Sequence, residues 1–156
     1  LLIGCISRGG KTITPRGSDT IEVGDLVFSE KLSYYANEPK QGDIITFADP
    51  LVSNRTLIKR VIATEGQTVD LQNGKVVVDG VVLDEPYTEN KVSEPFDKTA
   101  VSISYPYTVP EGCLWVMGDN RTNSQDSRYF GAIKASSVTG HAVFTYWPIP
   151  HIGVLS

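Results

Sequence analysis

The sequence contains few residues of the kinds that build metal sites, disulfide frameworks or nucleic-acid-binding surfaces. Its 156 residues include two cysteines and two histidines. Cys5 and Cys113 form no CxxC pair, and neither His141 nor His151 has a partner at the spacing of a structural zinc site. No run of Lys and Arg is longer than two residues, and the formal net charge is −4. The sequence therefore predicts no metal, no cofactor and no nucleic-acid partner.

Long apolar and helical stretches are also missing. No stretch approaches the roughly 20 apolar residues of a membrane-spanning helix. The apolar N-terminus, Leu1 to Ile6, stops at Ser7-Arg8, and it fits either an edge strand or the end of a longer apolar segment. Apart from a short candidate at Ile133 to Ser137, helical periodicity is absent over windows of about eleven residues. The chain is thus not predicted to be a helical protein.

What is present is a globular composition with strand patterning. The chain is 40% hydrophobic and 21% charged, which suits one globular domain, or a domain with a small insert, that buries a sizeable core. Asn73-Gly74 and Asp79-Gly80 separate short β-branched runs and predict type I′ hairpin turns. From Asp84 to Tyr107 the chain is polar and rich in proline, and we expect an irregular, partly ordered excursion. The fold class is predicted as mainly β, with strands at Ile21 to Lys31, Asp43 to Phe47, Thr56 to Ala63, Val69 to Gln72, Lys75 to Val78, Val81 to Leu83, Tyr107 to Val109, Cys113 to Met117 and Val138 to Trp147.

One lysine lies inside an apolar strand. Lys59 and Arg60 follow Leu57-Ile58 and precede Val61-Ile62, and alternation along a strand points the two cations to opposite faces. One of them is therefore expected to face the apolar side. A buried lysine can become a neutral amine that takes a proton from a serine hydroxyl, whereas arginine keeps its charge. The alternative is a solvated basic pair with only its aliphatic stems covered.

Two polar segments offer partners for such a lysine. Ser18 lies in a tight turn, Pro15-Arg16-Gly17-Ser18, which by itself is an ordinary turn sequence. The segment from Gly118 to Gly131 combines acids, amides, arginines and serines between a hydrophobic strand and an aromatic pair. Asp119, Arg121, Asp126 and Arg128 suit a network of ion pairs that could hold Ser124 rigidly beside an amine. The alternative is a polar loop of Asx turns.

These segments together resemble the type I signal peptidases. The stretch from Gly118-Asp119-Asn120-Arg121 to Gly131 is similar to that family's GDNRxxSxDSRxxG box. Three further segments agree in order, namely Pro15-x-Gly17-Ser18 with Thr20, Gly42-Asp43-Ile44 with Phe47, and Ile58-Lys59-Arg60-Val61-Ile62. The resemblance covers residues 15 to 147, and its last box is highly specific.

The resemblance implies a membrane-associated serine endopeptidase that removes N-terminal signal peptides from exported preproteins with a Ser-Lys dyad. Ser18 would be the nucleophile, Lys59 the general base, and Ser124 the residue that orients the lysine amine. Asp119, Arg121, Asp126 and Arg128 would support the loop. Ile13, Pro15 and Ile58 would line shallow apolar pockets for small substrate residues.

The resemblance also implies a domain arrangement and a location. Residues 1–10 are expected to be the remnant of an N-terminal membrane anchor and its linker, residues 11–70 and 110–156 a catalytic β core of antiparallel sheet, and residues 71–109 a small inserted subdomain with a β-hairpin. The protein is expected at the cell membrane, anchored by a single span, with its catalytic domain on the extracytoplasmic face. Its partners would be the signal peptides of preproteins and, through the anchor, the lipid bilayer.

The serine box departs from the family pattern. That pattern reads Ser-Met-x-Pro-Thr, whereas Ser18-Asp19-Thr20 is two residues shorter and has neither Met nor Pro. Counting back from Val23-Gly24-Asp25 places Arg16 at the nucleophile position, and counting forward from Pro15-x-Gly17 places Ser18 there; we prefer Ser18 because a loop absorbs a short deletion easily. The departure motivates an alternative, a catalytically impaired homologue that binds exported or pilus-type substrates. A self-cleaving Ser-Lys regulator of the phage-repressor type is a third reading, disfavoured by the Gly118–Gly131 box.

Overall fold

The described residues form two β-sheets with very little helix. The computed structural model describes residues 38–147 and the short strands 12–14, 26–30 and 153–154, with side chains described for residues 38–141. An eight-stranded sheet has the order β10-β9-β4-β3-β11-β12, with β1 paired to β4 and β2 to β11, and a four-stranded sheet has the order β7-β6-β5-β8. The strands are β1 Thr12–Thr14, β2 Leu26–Glu30, β3 Ile44–Ala48, β4 Arg55–Thr64, β5 Thr68–Gln72, β6 Lys75–Val78, β7 Val81–Val82, β8 Tyr107–Thr108, β9 Cys113–Met117, β10 Ile133–Lys134, β11 Val138–Trp147 and β12 Gly153–Val154.

Strand β4 lies at the centre of the larger sheet, and its two edges are used differently. One edge pairs with β3 from Thr56 to Arg60. On the opposite edge β1 runs parallel to β4 and ends with Thr14 beside Leu57, while β9 runs antiparallel and ends with Met117 beside Arg60. Ile58 and Lys59 therefore lie between the carboxyl ends of two neighbouring strands.

The smaller sheet follows the hairpin turns that the sequence predicts. Asn73 and Gly74 have φ angles of 52° and 74°, and Asp79 and Gly80 have φ angles of 50° and 80°. Both central residues of a type I′ turn require positive φ, so both turns are confirmed. They fix the antiparallel register of β5, β6 and β7.

The core consists of two apolar clusters on opposite faces of β4. Leu57 and Val61 pack with Phe47, Phe130 and others in the first cluster. The second cluster lies between the two sheets and contains Ile62, Val69, Val76, Trp115 and Met117 among others. Because both faces of β4 are covered, its residues from Thr56 to Ala63 are all buried.

The short helix predicted at Ile133 to Ser137 lies elsewhere in the chain. Residues 133–137 form β10 and a 3₁₀ turn, Ala135–Ser137, whereas the short helix α1 is Ser127–Phe130, within the segment interpreted as loop. Asp126 begins that helix by accepting a hydrogen bond from the Arg128 amide, a local signal that periodicity over so few residues does not reveal. The excursion from Asp84 to Tyr107 has a defined path throughout and includes a 3₁₀ turn, Pro86–Thr88. No helix in the described part of the chain is both long and apolar enough to cross a membrane.

Candidate functional site

Lys59 is buried in the middle of the larger sheet. Its exposed fraction is 2%, and it follows Leu57 and precedes Val61 on the same face of β4. Since β1 and β9 both end beside this part of β4, the polar segment that follows Met117 starts next to Lys59. The strand pairing thus brings a buried amine to the beginning of the Gly118–Gly131 segment.

Arg60 is buried as well, with an exposed fraction of 3%. The interpretation of Lys59-Arg60 as a solvated pair is therefore wrong. One cation was expected on the apolar side, and the structure buries both. Arg60 points to the face opposite Lys59, where its Nη1 donates to the Gly42 carbonyl at 2.9 Å and its guanidinium stacks 3.9 Å from the centre of the Tyr87 ring. The second sheet and its connections cover this face, which sequence alternation alone does not indicate.

Three arginines of the described region each bind a carboxylate with two parallel hydrogen bonds. Arg60 donates to Asp119 at 2.9 and 2.8 Å, Arg121 to Glu85 at 2.8 and 2.6 Å, and Arg128 to Asp126 at 3.0 and 2.9 Å. All three guanidinium groups are buried. Such bidentate pairs restrict both partners in direction as well as in distance. The predicted ion-pair network is present, but two of its three pairs reach outside the Gly118–Gly131 segment.

Asp126 connects the network to Lys59. Its carboxylate accepts hydrogen bonds from the Gly118 amide at 3.0 Å and from the Arg128 amide at 3.1 Å, besides the two from the Arg128 guanidinium. Complete burial by itself would raise the pKa of Asp126, but the charge and hydrogen bonds of Arg128, the charge of Lys59 and the Gly118 hydrogen bond together lower it below its ordinary value. Asp126 is therefore held as an anion within electrostatic reach of Lys59.

Arg121 is held from three sides. Besides Glu85, its Nη1 contacts Ser93 Oγ at 2.7 Å and its Nε donates to the Gly118 carbonyl at 2.9 Å. Burial alone would lower the pKa of Arg121, but the hydrogen bonds and charge of Glu85 outweigh it and the pKa is raised. The Tyr87 hydroxyl donates to Glu85 Oε1 at 3.0 Å, and burial followed by the Glu85 charge raises the pKa of Tyr87. Both side chains thus keep their protons over the whole working range of pH.

Ser124 presents a buried hydroxyl without a partner. Its residue is 7% exposed, and its Oγ has no hydrogen bond to any described residue. An unsatisfied buried hydroxyl costs about 1–3 kcal/mol. The Tyr105 hydroxyl and Trp115 Nε1 of the apolar core also have no hydrogen-bond partner among the described residues. The neighbouring Gln125 accepts a hydrogen bond from Arg55 Nη2 at 3.2 Å, which fixes the backbone beside Ser124 to β4. The hydrogen bond expected between Ser124 and the Lys59 amine is not formed in the described structure, and only a role of Ser124 near that amine stays a prediction.

The residues predicted to contact substrate are only partly described. Ile58 is buried and lines, with Ile44, Lys59, Arg60 and Asp119, a cavity of about 10 Å³. A cavity of this size accommodates one water at most and no substrate side chain. The backbone of Ile13 lies in β1, paired with Thr56. Its side chain, Pro15, Ser18 and the N-terminal residues 1–10 lie outside the described part of the chain.

Sequence reasoning missed Glu85 and Tyr87. Both lie in the proline-rich stretch interpreted as an irregular excursion, and they contact Arg121 and Arg60 across 36 and 27 positions of sequence. The available signal was weak: a glutamate and an aromatic residue flanking Pro86. Only the tertiary structure brings these residues to the site.

Fold and site together define a class: a mainly β protein whose central strand carries a buried lysine, flanked by a polar segment locked by arginine–carboxylate pairs. The model of one family, "Signal peptidase, peptidase S26", matches residues 13–147. The chain is 37% identical over 144 residues to "Signal peptidase I" of Leptolyngbya laminosa, an alignment that covers 87% of this chain and 66% of that protein. It is 39% identical over 143 residues to "Probable signal peptidase I-1" of Synechocystis sp., with 87% and 69% covered.

A solved structure agrees with these sequence relatives. A signal peptidase I from Enterococcus faecalis superposes with a TM-score of 0.56 at 36% identity, and the alignment covers 67% of this chain and 97% of that one. The chain belongs to the signal peptidase family, peptidase S26. The family resemblance and the mainly β fold predicted from the sequence are thereby confirmed. The chain spans about two thirds of the length of the two relatives named above.

Proposed function

We propose that this protein is a serine endopeptidase that removes N-terminal signal peptides from preproteins, with Ser18 as nucleophile and Lys59 as general base. Membership of the signal peptidase family supports the reaction class. The observation that carries the proposal is the placement of Lys59. Its amine is buried in an apolar sheet, beside a segment that three bidentate ion pairs hold in place.

The proposed chemistry follows from that placement. Burial favours the neutral form of an amine, and a neutral Lys59 Nζ can accept the proton of the Ser18 hydroxyl as its Oγ attacks the scissile carbonyl. The backbone N–H of Ser18 would stabilise the oxyanion. The peptide C–N bond then breaks, the departing amine takes the proton from Lys59, and water hydrolyses the ester that remains on Ser18.

The path of β1 supports Ser18 as the partner of Lys59. Strand β1 runs parallel to β4 and ends with Thr14 beside Leu57, two residues before Lys59. Four residues lead from Thr14 to Ser18 and can span up to about 14 Å when extended. A reach of this length is compatible with the proposed contact between Ser18 and Lys59.

The buried hydroxyl of Ser124 supports a role beside the amine. Ser124 lies two residues before Asp126, the carboxylate whose pKa is lowered in part by the charge of Lys59. An oxygen that is already desolvated and lacks a partner in the described structure can accept a hydrogen bond from Lys59 Nζ without first giving up another. We propose that Ser124 orients the lone pair of Lys59 toward Ser18, and that Asp119, Arg121, Asp126 and Arg128 hold this arrangement.

The location and substrate contacts are also proposals. We propose that the protein acts at the cell membrane, attached by a single N-terminal span, with its catalytic domain on the extracytoplasmic face. Its substrates would be signal peptides with small residues before the cleavage site, contacted by Ile13 and Pro15. Ile58, which is buried beside a cavity too small for a substrate side chain, would support such a pocket from behind.

The test is cleavage of a preprotein with an Ala-x-Ala site by the chain in detergent or lipid. We expect Lys59→Ala to reduce kcat by roughly 1,000-fold or more, because the general base is lost. Lys75→Ala is the matched control, since Lys75 is an exposed lysine on β6, and it should cleave like the unmodified chain. Undiminished cleavage by Lys59→Ala would refute the mechanism. Binding of the preprotein without cleavage by the unmodified chain would instead support the impaired homologue.

A further inference from the structure

The three arginines of the site share a second set of contacts, all from one short stretch of chain. Residues 85–96, here called the 85–96 segment, follow β7 and lie outside the motifs that indicate the family. Tyr87 of this segment stacks on Arg60, Glu85 and Ser93 bind Arg121, and the Phe96 ring lies 4.7 Å from the Arg128 guanidinium. The Glu94 carbonyl adds a long hydrogen bond from Arg128 Nη1 at 3.4 Å.

Glu85 is the centre of these contacts because it supplies a full charge. Its two carboxylate oxygens accept hydrogen bonds from Arg121, and one of them also accepts a hydrogen bond from the Tyr87 hydroxyl. Glu85 therefore links Arg121 of the Gly118–Gly131 segment to the Tyr87 ring that stacks on Arg60. The Arg121 carbonyl in turn accepts a hydrogen bond from Arg128 Nη2 at 2.8 Å. A continuous chain of contacts therefore runs from Glu85 through Arg121 and Arg128 to Asp126.

This series of contacts ends near Lys59. Charged groups near Lys59 in the described part of the chain include Arg60 and Asp119, which line the same cavity, and Asp126, whose pKa is lowered by the charge of Lys59. Arg128 binds Asp126, and Arg121 contacts both Glu85 and the Gly118 carbonyl. In a buried cluster with little water, an unbalanced charge on any member changes the potential at the others.

We propose that Glu85 is a positioning residue of the peptidase: by neutralising and anchoring Arg121, the 85–96 segment fixes the catalytic loop and sets the pH range in which Lys59 acts as a base. This inference rests on the proposed function, since it assumes that Lys59 is the base. Glu85 does not touch the reacting atoms and acts only through Arg121, Tyr87 and the loop.

The experiment compares variants whose effects on Lys59 have opposite signs. Glu85→Gln keeps the shape of the side chain but leaves the Arg121 cation unbalanced, which disfavours a protonated Lys59. In a plot of kcat against pH, the rise on the acidic side should therefore move to lower pH by roughly half a pH unit or more. Arg121→Gln leaves the Glu85 anion unbalanced, and the rise should move to higher pH. The double variant restores the balance and should return the rise close to its original position.

The split between kcat and KM separates positioning from substrate binding. At the optimal pH, Glu85→Gln should lower kcat about tenfold and leave KM within about twofold, because the substrate is not touched. Tyr87→Phe keeps the ring over Arg60 and loses one hydrogen bond to Glu85, so a two- to threefold loss of kcat is expected, smaller than for Glu85→Gln. Glu89→Gln is the matched control, because its carboxylate is 72% exposed on the same segment, and it should behave like the unmodified chain.

A second readout does not depend on cleavage. The Lys59 amine can be titrated directly by NMR after selective labelling, in the unmodified chain and in each variant. If no preprotein is cleaved but the Lys59 titration shifts in opposite directions in Glu85→Gln and Arg121→Gln, the proposed function fails and the coupling stands. If cleavage is normal and both variants shift in the same direction or not at all, the inference is overturned and Glu85 is merely structural. Should Glu85→Gln fail to fold, Arg121→Gln decides alone: a shift of the Lys59 titration to higher pH supports the coupling, and no shift or a shift to lower pH overturns it.

Discussion

Two neighbouring regions of this protein both bury side chains but are held together by different forces. The hairpin sheet of β5, β6 and β7 places Val69, Val76 and Val78 against Trp115 and uses apolar contact. The Gly118–Gly131 segment, which starts at the end of the same strand as Trp115, buries Asp119, Arg121, Asp126 and Arg128 in hydrogen-bonded ion pairs. Apolar contact is without direction, whereas a bidentate pair has one geometry.

The difference fits what each region has to do. A scaffold sheet needs only to exclude water and to keep its register, which the two type I′ turns already fix. The Gly118–Gly131 segment, in the proposed mechanism, presents a hydroxyl and a carboxylate to a buried amine and would have to hold them within a fraction of an ångström. Ion pairs are a costly way to achieve this in free energy, because each charge must be desolvated, and their use here indicates that orientation is what they supply.

The largest expected loss of stability comes from a substitution that breaks an ion pair of the charged region. Asp126→Asn keeps the helix-capping oxygen but leaves the buried Arg128 cation without its carboxylate, and a loss of about 3–5 kcal/mol in the free energy of unfolding is expected at pH 7. Urea unfolding of both proteins measures it. A loss below about 1 kcal/mol would mean that this pair adds no more than a surface ion pair.

The same pair gives a pH dependence with a defined sign. The folded-state pKa of Asp126 lies below its unfolded value, so its stabilisation is complete above about pH 4 and is lost as the pH falls through the folded-state pKa. The difference between the unmodified chain and Asp126→Asn should therefore shrink on acidification from pH 7 to pH 3. A constant difference over that range would contradict the assigned ion pair.

A smaller effect is expected in the apolar region. Val76 is fully buried, and Val76→Ala removes two methyl groups from the packing around Trp115. The expected loss is about 2 kcal/mol in the free energy of unfolding, at about 0.8 kcal/mol per carbon plus a small cavity contribution. Cleavage by the folded variant should stay unchanged at 25 °C, in contrast to variants of the charged region. A drop in kcat at constant KM would show that the two regions are not separable.

The smallest expected loss of stability comes from substitutions of the glycines in the two turns. Gly80 has a φ of +80° with open space where a Cβ would stand, while at Gly74 a Cβ would come within 3.0 Å of Val92 Cγ1. Gly80→Ala should cost about 1 kcal/mol from the left-handed backbone alone, and Gly74→Ala should cost more because Val92 must also move. Thermal unfolding of the two variants side by side measures both. Equal losses would show that the contact with Val92 contributes nothing.

Local signals predicted much of the scaffold. Cys113–Met117 and Val138–Trp147 have the bounds that the pattern predicts, and both Gly-containing turns have the predicted type. Helix α1 was missed because four residues are too few for a helical period to be visible. The polar network was foreseen within Gly118–Gly131, yet only the Arg128–Asp126 pair, two residues apart, closes there.

The sequence by itself determined the strand pattern, the turns, the family and the presence of a lysine in an apolar strand, because these depend on neighbours in the chain or on whole motifs. The tertiary structure alone decided that Arg60 is buried beside Lys59 and pairs with Asp119, 59 positions away, and that Arg121 pairs with Glu85, 36 positions away. Arginine and carboxylate side chains are common, and the local sequence around them does not indicate which residue they pair with. Which of them meet depends on how two sheets pack, and that packing is set by the apolar core rather than by the charges themselves.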